Sequence, residues 1–160
     1  MADGKNRYET RFSFGATAAI ITNLAIIVGL RIGNVKLTII GAMLVIAIAD
    51  NVSDSLGIHV YQESEGLDAK EVWFSTSTNF LTRVLVSFSF IFLVYFLPIN
   101  MAVIVSIIWG LLLLSGMSYI IAKGKGINPV LAVLEHLAIA VVVIIASNFI
   151  GHFIADKVKF

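Results

Sequence analysis

Asp50 and Asp54 stand one helical turn apart at the end of an apolar run, in the stretch AIADNVSDSLGIH (47–59). At 100° per residue the two carboxylates fall within about 40° of each other on a helix. Extending the wheel gathers Met43, Ala47, Asp50, Asp54, Gly57, Tyr61 and Glu65 into one stripe, and from Asp50 to Glu65 it is about 22 Å long at 1.5 Å per residue. A row of carboxylates leading out of an apolar segment suits a hard divalent cation, which prefers oxygen ligands. The bland alternative makes Asp54 an interfacial residue and hydrogen-bonds Asp50 to neighbouring serines.

Other residues extend the candidate ligand set. Glu63 and Glu65 begin an acidic stretch that also holds Asp68 and Glu71. Glu135 and His136 lie about 9–11 Å along a helix that starts at Pro129, a depth close to that expected for Asp50. They would complete a coordination sphere, unless Glu135 pairs with Lys123, Lys125 or Arg83 instead. Asn23 falls near the middle of the first apolar segment; its amide either bonds to a neighbouring helix, the commoner outcome, or offers its oxygen to a metal. His59 and Glu63 have i, i+4 spacing but face away from the Asp50 stripe. Asn148, His152 and Asp156 share a stripe at the end of the last helix, either an exit site or a polar helix terminus.

Composition shows what must position these groups. The chain has 160 residues, 59% hydrophobic and 13% charged, with a mean hydropathy of +0.97, against roughly 45–50% apolar and about 25% charged in ordinary globular domains. That is the composition of an integral membrane protein: an all-α bundle forming a single transmembrane domain over 1–160. Five helices are expected, at about 12–30, 37–60, 80–97, 101–122 and 129–155, each near the roughly 20 residues that cross a hydrocarbon core. An acidic loop over 61–79 separates the second from the third. Pro98, Ile99 and Asn100 make a tight hairpin between the third and fourth, and Asn128 before Pro129 is a capping residue followed by proline at the first helical position. The first segment is too long for a secretory signal and ends in GLRIG, without a small-residue cleavage site.

Charge sets the expected orientation. With the N-terminus inside, the cytoplasmic segments carry Lys5, Arg7, Arg11, Lys70, Arg83, Lys123 and Lys125, and the outer ones Arg31, Lys36, Lys157 and Lys159. The C-terminus is then outside, and a prokaryotic cytoplasmic membrane is the expected location. A net charge of +1 leaves no footprint for nucleic acid, and the absence of cysteine excludes thiolate metal sites and disulfides. Gly29 and Gly33 form a GxxxG pair whose expected role is helix packing.

The run ADNVSDSLGIHVYQESE (49–65) resembles the second-helix motif of the vacuolar iron transporter (VIT-like) family, approximately A-D-G-F-S-M-x-x-G-x-Y-x-S-x-x-S-E. Ala49, Asp50, Ser53, Gly57, Ser64 and Glu65 match in register without gaps. The five-helix layout extends the likeness over most of the chain. The resemblance implies a homodimeric transporter of Fe2+ or Mn2+, with the ion path between the subunits and proton exchange in some members. Two of the departures from the pattern bear on the carboxylates. Ala18, in the run Gly15-Ala16-Thr17-Ala18-Ala19, stands where the family places a first-helix aspartate, and Asp54 replaces a methionine. Either a carboxylate lost from the first helix is regained on the second, or this branch has changed substrate or lost transport.

The sequence therefore leads to a divalent-cation transporter with Asp50, Asp54, Glu63, Glu65, Glu135, His136 and Asn23 as metal ligands. Its partners would be membrane lipid, the transported ion and a second copy, with no organic cofactor and no enzymatic activity. The alternative is a non-transporting scaffold or regulatory subunit of a membrane complex. An intramembrane metal-dependent hydrolase is disfavoured because His59 points away from the aspartates.

Overall fold

A computed structural model describes the backbone of residues 2–33 and 35–157 and the side chains of 15–32 and 35–157. Among them are five α-helices and one short 3-10 turn. These are α1 (Ala2–Leu30), the turn Arg31–Gly33, α2 (Lys36–Ser64), α3 (Ala69–Phe96), α4 (Ile99–Gly124) and α5 (Pro129–Lys157). Helices α2 to α5 are each long and apolar enough to cross a membrane, and the apolar part of α1 is the shorter stretch Gly15–Leu30. An all-helical membrane bundle is thus the architecture. The side chains of Lys5, Arg7 and Arg11, and all of Lys159, which enter the orientation count, lie outside the described residues.

The expected acidic loop over 61–79 is corrected. Helix α2 runs to Ser64 and α3 starts at Ala69, which leaves only Glu65–Asp68 as the turn. Gly66, with φ of 73°, ends α2, and Leu67 N–H returns to the Gln62 carbonyl at 3.2 Å, satisfying carbonyls that a helix end would otherwise strand. Asp68 then caps α3, its carboxylate accepting from Lys70 N–H at 3.2 Å. The polar run STSTN (75–79) looks like loop because it is polar, yet Ser75 and Asn79 are fully buried inside α3.

The other joints follow the sequence more closely. Leu97 and Pro98 alone connect α3 to α4. Asn128 Oδ1 accepts from Val130 N–H at 3.0 Å and Leu131 N–H at 3.4 Å, so it caps α5 as expected.

Two helical hairpins, α2–α3 and α4–α5, pack on either side of α1, which touches all four. The core is a band of Ile20, Leu24, Ile27, Phe90, Val94 and Leu114. Close approach of α1 and α5 depends on Gly29 and Gly151 rather than on the Gly29–Gly33 pair: a Cβ on Gly151 would lie 2.3 Å from the Gly29 carbonyl oxygen. Gly110 similarly admits Leu24 from α1, where a Cβ would come within 2.9 Å of its Cδ1.

Candidate functional site

Asp50 is the fifteenth of the 29 residues of α2, and Arg83 the fifteenth of the 28 of α3. Because the two helices run antiparallel from a four-residue turn, these midpoints meet. Arg83 is 1% exposed, the largest fully buried side chain among the described residues. Its Nη2 donates to Asp50 Oδ2 at 2.6 Å, and its Nε donates to Asn51 Oδ1 at 2.7 Å. Its Nη1 lies 2.6 Å from Asp54 Oδ2, an ion pair by distance without hydrogen-bond alignment. Asn51 is held in turn by its own Nδ2, which donates to the Ala47 carbonyl at 2.7 Å.

Asp50 is thus paired with an arginine rather than with neighbouring serines, and Arg83 stands at the middle of a helix rather than at the cytoplasmic edge, which removes it from the orientation count. The arrangement also splits the stripe read from the wheel. The buried seam of α2 follows Met43, Ala47, Asn51, Ser55 and Gln62. Asp50 and Asp54 flank that seam, each with a side chain 42% exposed. Two carboxylates against one guanidinium leave an excess of one negative charge. Intramembrane ionisable groups of this kind are costly, and they mark ion paths or binding sites more often than plain structure.

Glycine on α1 makes room for the arginine. A Cβ on Gly15 would stand 3.0 Å from the Asn79 side-chain nitrogen and 3.2 Å from Arg83 Cγ. The first helix therefore closes over the cluster with backbone, and its Ala18 brings no carboxylate to it.

The remaining candidate ligands lie elsewhere. Glu135 is exposed on α5, and His136 Nδ1 is 2.7 Å from Ser118 Oγ on α4. Helix α5 packs on α4 and α1 while α2 packs on α3, so neither Glu135 nor His136 reaches the aspartates. Asn23, buried at 2% exposure, ties α1 to α3: its Nδ2 donates to Ser87 Oγ at 3.0 Å and to the Ala19 carbonyl at 2.7 Å. Glu65 is exposed at the C-terminal cap of α2. Glu63 Oε1 sits 3.3 Å from His59 Nε2, and His59 Nδ1 is 3.0 Å from Thr76 Oγ1, with Trp73 edge-on to the imidazole at 4.6 Å. These four residues lie on the other side of the α2–α3 pair, beside an outward cavity of about 370 Å³ lined by Val52, Leu56 and Phe80. Asn148 accepts from Arg31 Nη2 at 2.7 Å, so the polar stripe at the end of α5 ties down the α1 exit.

Among the described residues no group of three or more His, Asp or Glu is arranged to hold a metal ion. Arg83 and Asn51 are the site residues that sequence reasoning missed. Their signal was present, since Arg83 sits within a long apolar run with Ser75, Asn79 and Ser87 at four-residue spacing. No protein-family model, curated protein or solved structure matches the chain.

Proposed function

We propose that the chain transports a divalent cation, Fe2+ or Mn2+, in the manner of the vacuolar iron transporters, with Asp50 and Asp54 as intramembrane ligands. In this reading Arg83 is a tethered cation that holds the carboxylates while cargo is absent. The observation that carries it is the charge imbalance: one buried guanidinium faces two half-exposed carboxylates at the midpoint of two long helices. Such a site attracts a cation, and an arriving ion competes with Arg83 for the same oxygens.

Hard divalent ions take six or more oxygen ligands or keep part of their water. Two carboxylates in one protomer are too few, so the coordination is completed by water and by a second copy, whose two-fold symmetry doubles each ligand. A proton arriving at either aspartate neutralises it and loosens its hold on Arg83, which gives cation release a route to proton exchange. The N-terminus is inside in this arrangement.

Reconstitution tests the reading. Uptake of radiolabelled Mn2+ into proteoliposomes is expected with the native chain and lost in Asp50→Ala/Asp54→Ala; undiminished uptake by the double variant refutes it. The second reading, a non-transporting scaffold, is favoured by the way Arg83, Asp50 and Asn51 knit α2 to α3. It requires that Mn2+ leave thermal stability unchanged and that a partner co-purify in fixed ratio.

A further inference from the structure

Helix α3 presents Ser75, Asn79, Arg83 and Ser87 at intervals of four residues, all within the bundle and each no more than 2% exposed. Each faces a polar partner. Gln62 Nε2 donates to Ser75 Oγ at 2.8 Å, Ser55 Oγ to Asn79 Oδ1 at 3.3 Å, Arg83 Nε to Asn51 Oδ1 at 2.7 Å, and Asn23 Nδ2 to Ser87 Oγ at 3.0 Å. A four-residue step on a helix of 3.6 residues per turn drifts by about 40°. The ladder therefore winds around α3, meeting α2 at its first three rungs and α1 at the last. From Ser75 to Ser87 it covers about 18 Å, more than half of a hydrocarbon core of about 30 Å.

One polar atom on every rung has no hydrogen-bond partner in the protein: Gln62 Oε1, Asn79 Nδ2, Arg83 Nη1 and Asn23 Oδ1. Arg83 Nη1 has its ion-pair contact with Asp54, but the rest have no such relief. An unsatisfied buried donor or acceptor costs about 1–3 kcal/mol, so the three without relief, in one file, are a large penalty for a dry seam. Successive rungs are about 6 Å apart along the axis. That is two hydrogen-bond lengths of about 2.8–3.0 Å, the span bridged by a single water. Of the three, Asn79 Nδ2 is a donor and Gln62 Oε1 and Asn23 Oδ1 are acceptors, and water serves both.

We infer that this ladder holds a file of bound water running from the α2–α3 turn to the Asp50–Asp54–Arg83 cluster and on to Asn23. Its mouth is the Gln62–Ser75 rung, close to the exposed Glu63, Glu65 and Asp68. Its far end stops against the apolar band of Phe90 and Val94, both fully buried. The path lies within one protomer, between α1, α2 and α3. It is independent of the cation reading, because a scaffold would carry it equally.

Water-edited solid-state NMR on the full chain in phosphatidylcholine bilayers tests this directly. The side-chain amides of Asn79 and Asn23 are expected to receive magnetisation from water nearly as fast as that of Asn128, the exposed cap of α5. Build-up as slow as that of the backbone amides of Phe90 and Val94 overturns the inference. In Gln62→Leu/Ser75→Ala, transfer to Asn79 is expected to slow several-fold while Asn128 is unchanged; an unslowed Asn79 in a folded variant overturns entry at the turn. Should that variant not fold, the native spectrum alone decides.

Discussion

Arg83 Nη2 and Asp50 Oδ2 stand 2.6 Å apart, joining the midpoints of α2 and α3 through a guanidinium that is 1% exposed and a carboxylate that is 42% exposed. The asymmetry decides what each partner does. The arginine is fixed by Asn51 and the backbone of α1 around it, whereas the aspartate is only partly covered by the bundle.

Removing the cation should cost more than removing one anion. Arg83→Met leaves two carboxylates facing each other without a counter-charge. A fully buried pair broken in this way loses about 3–5 kcal/mol; with the carboxylates partly exposed, about 2 kcal/mol is expected. Unfolding in mixed micelles measures it, and Arg83→Met/Asp50→Asn/Asp54→Asn should recover most of the loss.

Asp54→Asn separates transport from structure. It leaves one aspartate against one guanidinium, a balanced pair, so its thermal stability should equal or exceed that of the native chain. Mn2+ uptake should fall at least tenfold nonetheless. Loss of uptake with intact folding assigns Asp54 to the ion, and unchanged uptake removes it from the path.

Gly151→Ala should loosen the α1–α5 contact. The new methyl would sit 2.3 Å from the Gly29 carbonyl oxygen, and backbone cannot yield as a side chain can. Overpacking of this order costs about 1–3 kcal/mol. Gly116→Ala, where nothing lies within 4 Å of the new Cβ, should be neutral or slightly stabilising. Thermal denaturation of the two variants side by side gives the comparison.

Ser87→Ala deletes the α1 end of the polar ladder. Asn23 keeps its bond to the Ala19 carbonyl, so only one interhelical hydrogen bond is lost. Such bonds average about 0.6 kcal/mol in a membrane bundle, and a correspondingly small fall in unfolding free energy is expected. A loss several times larger would mean that more than this bond depends on Ser87.

Element type was readable wherever composition and joints agreed. Apolar length gave the helices, Pro98 gave the tight joint between α3 and α4, and Asn128-Pro129 gave the start of α5, because each of these signals acts locally. The α2–α3 hairpin is hard to read for a physical reason: polar residues near a membrane suggest water, yet Ser75, Asn79 and Arg83 turn inward to polar partners on α2. The charge of Arg83 in particular points to the cytoplasmic edge. Its true role needed the pairing of two helices, which places residues 33 positions apart in contact. Asp50 and Asp54 were found readily, since two acids in an apolar run stand out on any wheel. Their guanidinium partner and the exact seam, through Asn51 rather than Asp50, depend on how α2 rotates against α3, and no single-helix pattern fixes that.

The short Glu65–Asp68 turn has a consequence for biosynthesis. A lone arginine at the centre of a spanning helix costs about 2.5–3.5 kcal/mol to insert, and a lone aspartate costs a similar amount. With so little chain between them, α2 and α3 can leave the translocation machinery as one unit in which Arg83 offsets one of the two carboxylates, each helix cancelling part of the other's penalty. Helix α1 is made first and gains Ser87 as a partner for Asn23 only 64 residues later. The ribosome thus delivers the bundle out of the order in which its polar groups are satisfied, and membrane integration should proceed by hairpins, with α1 captured once α3 has arrived.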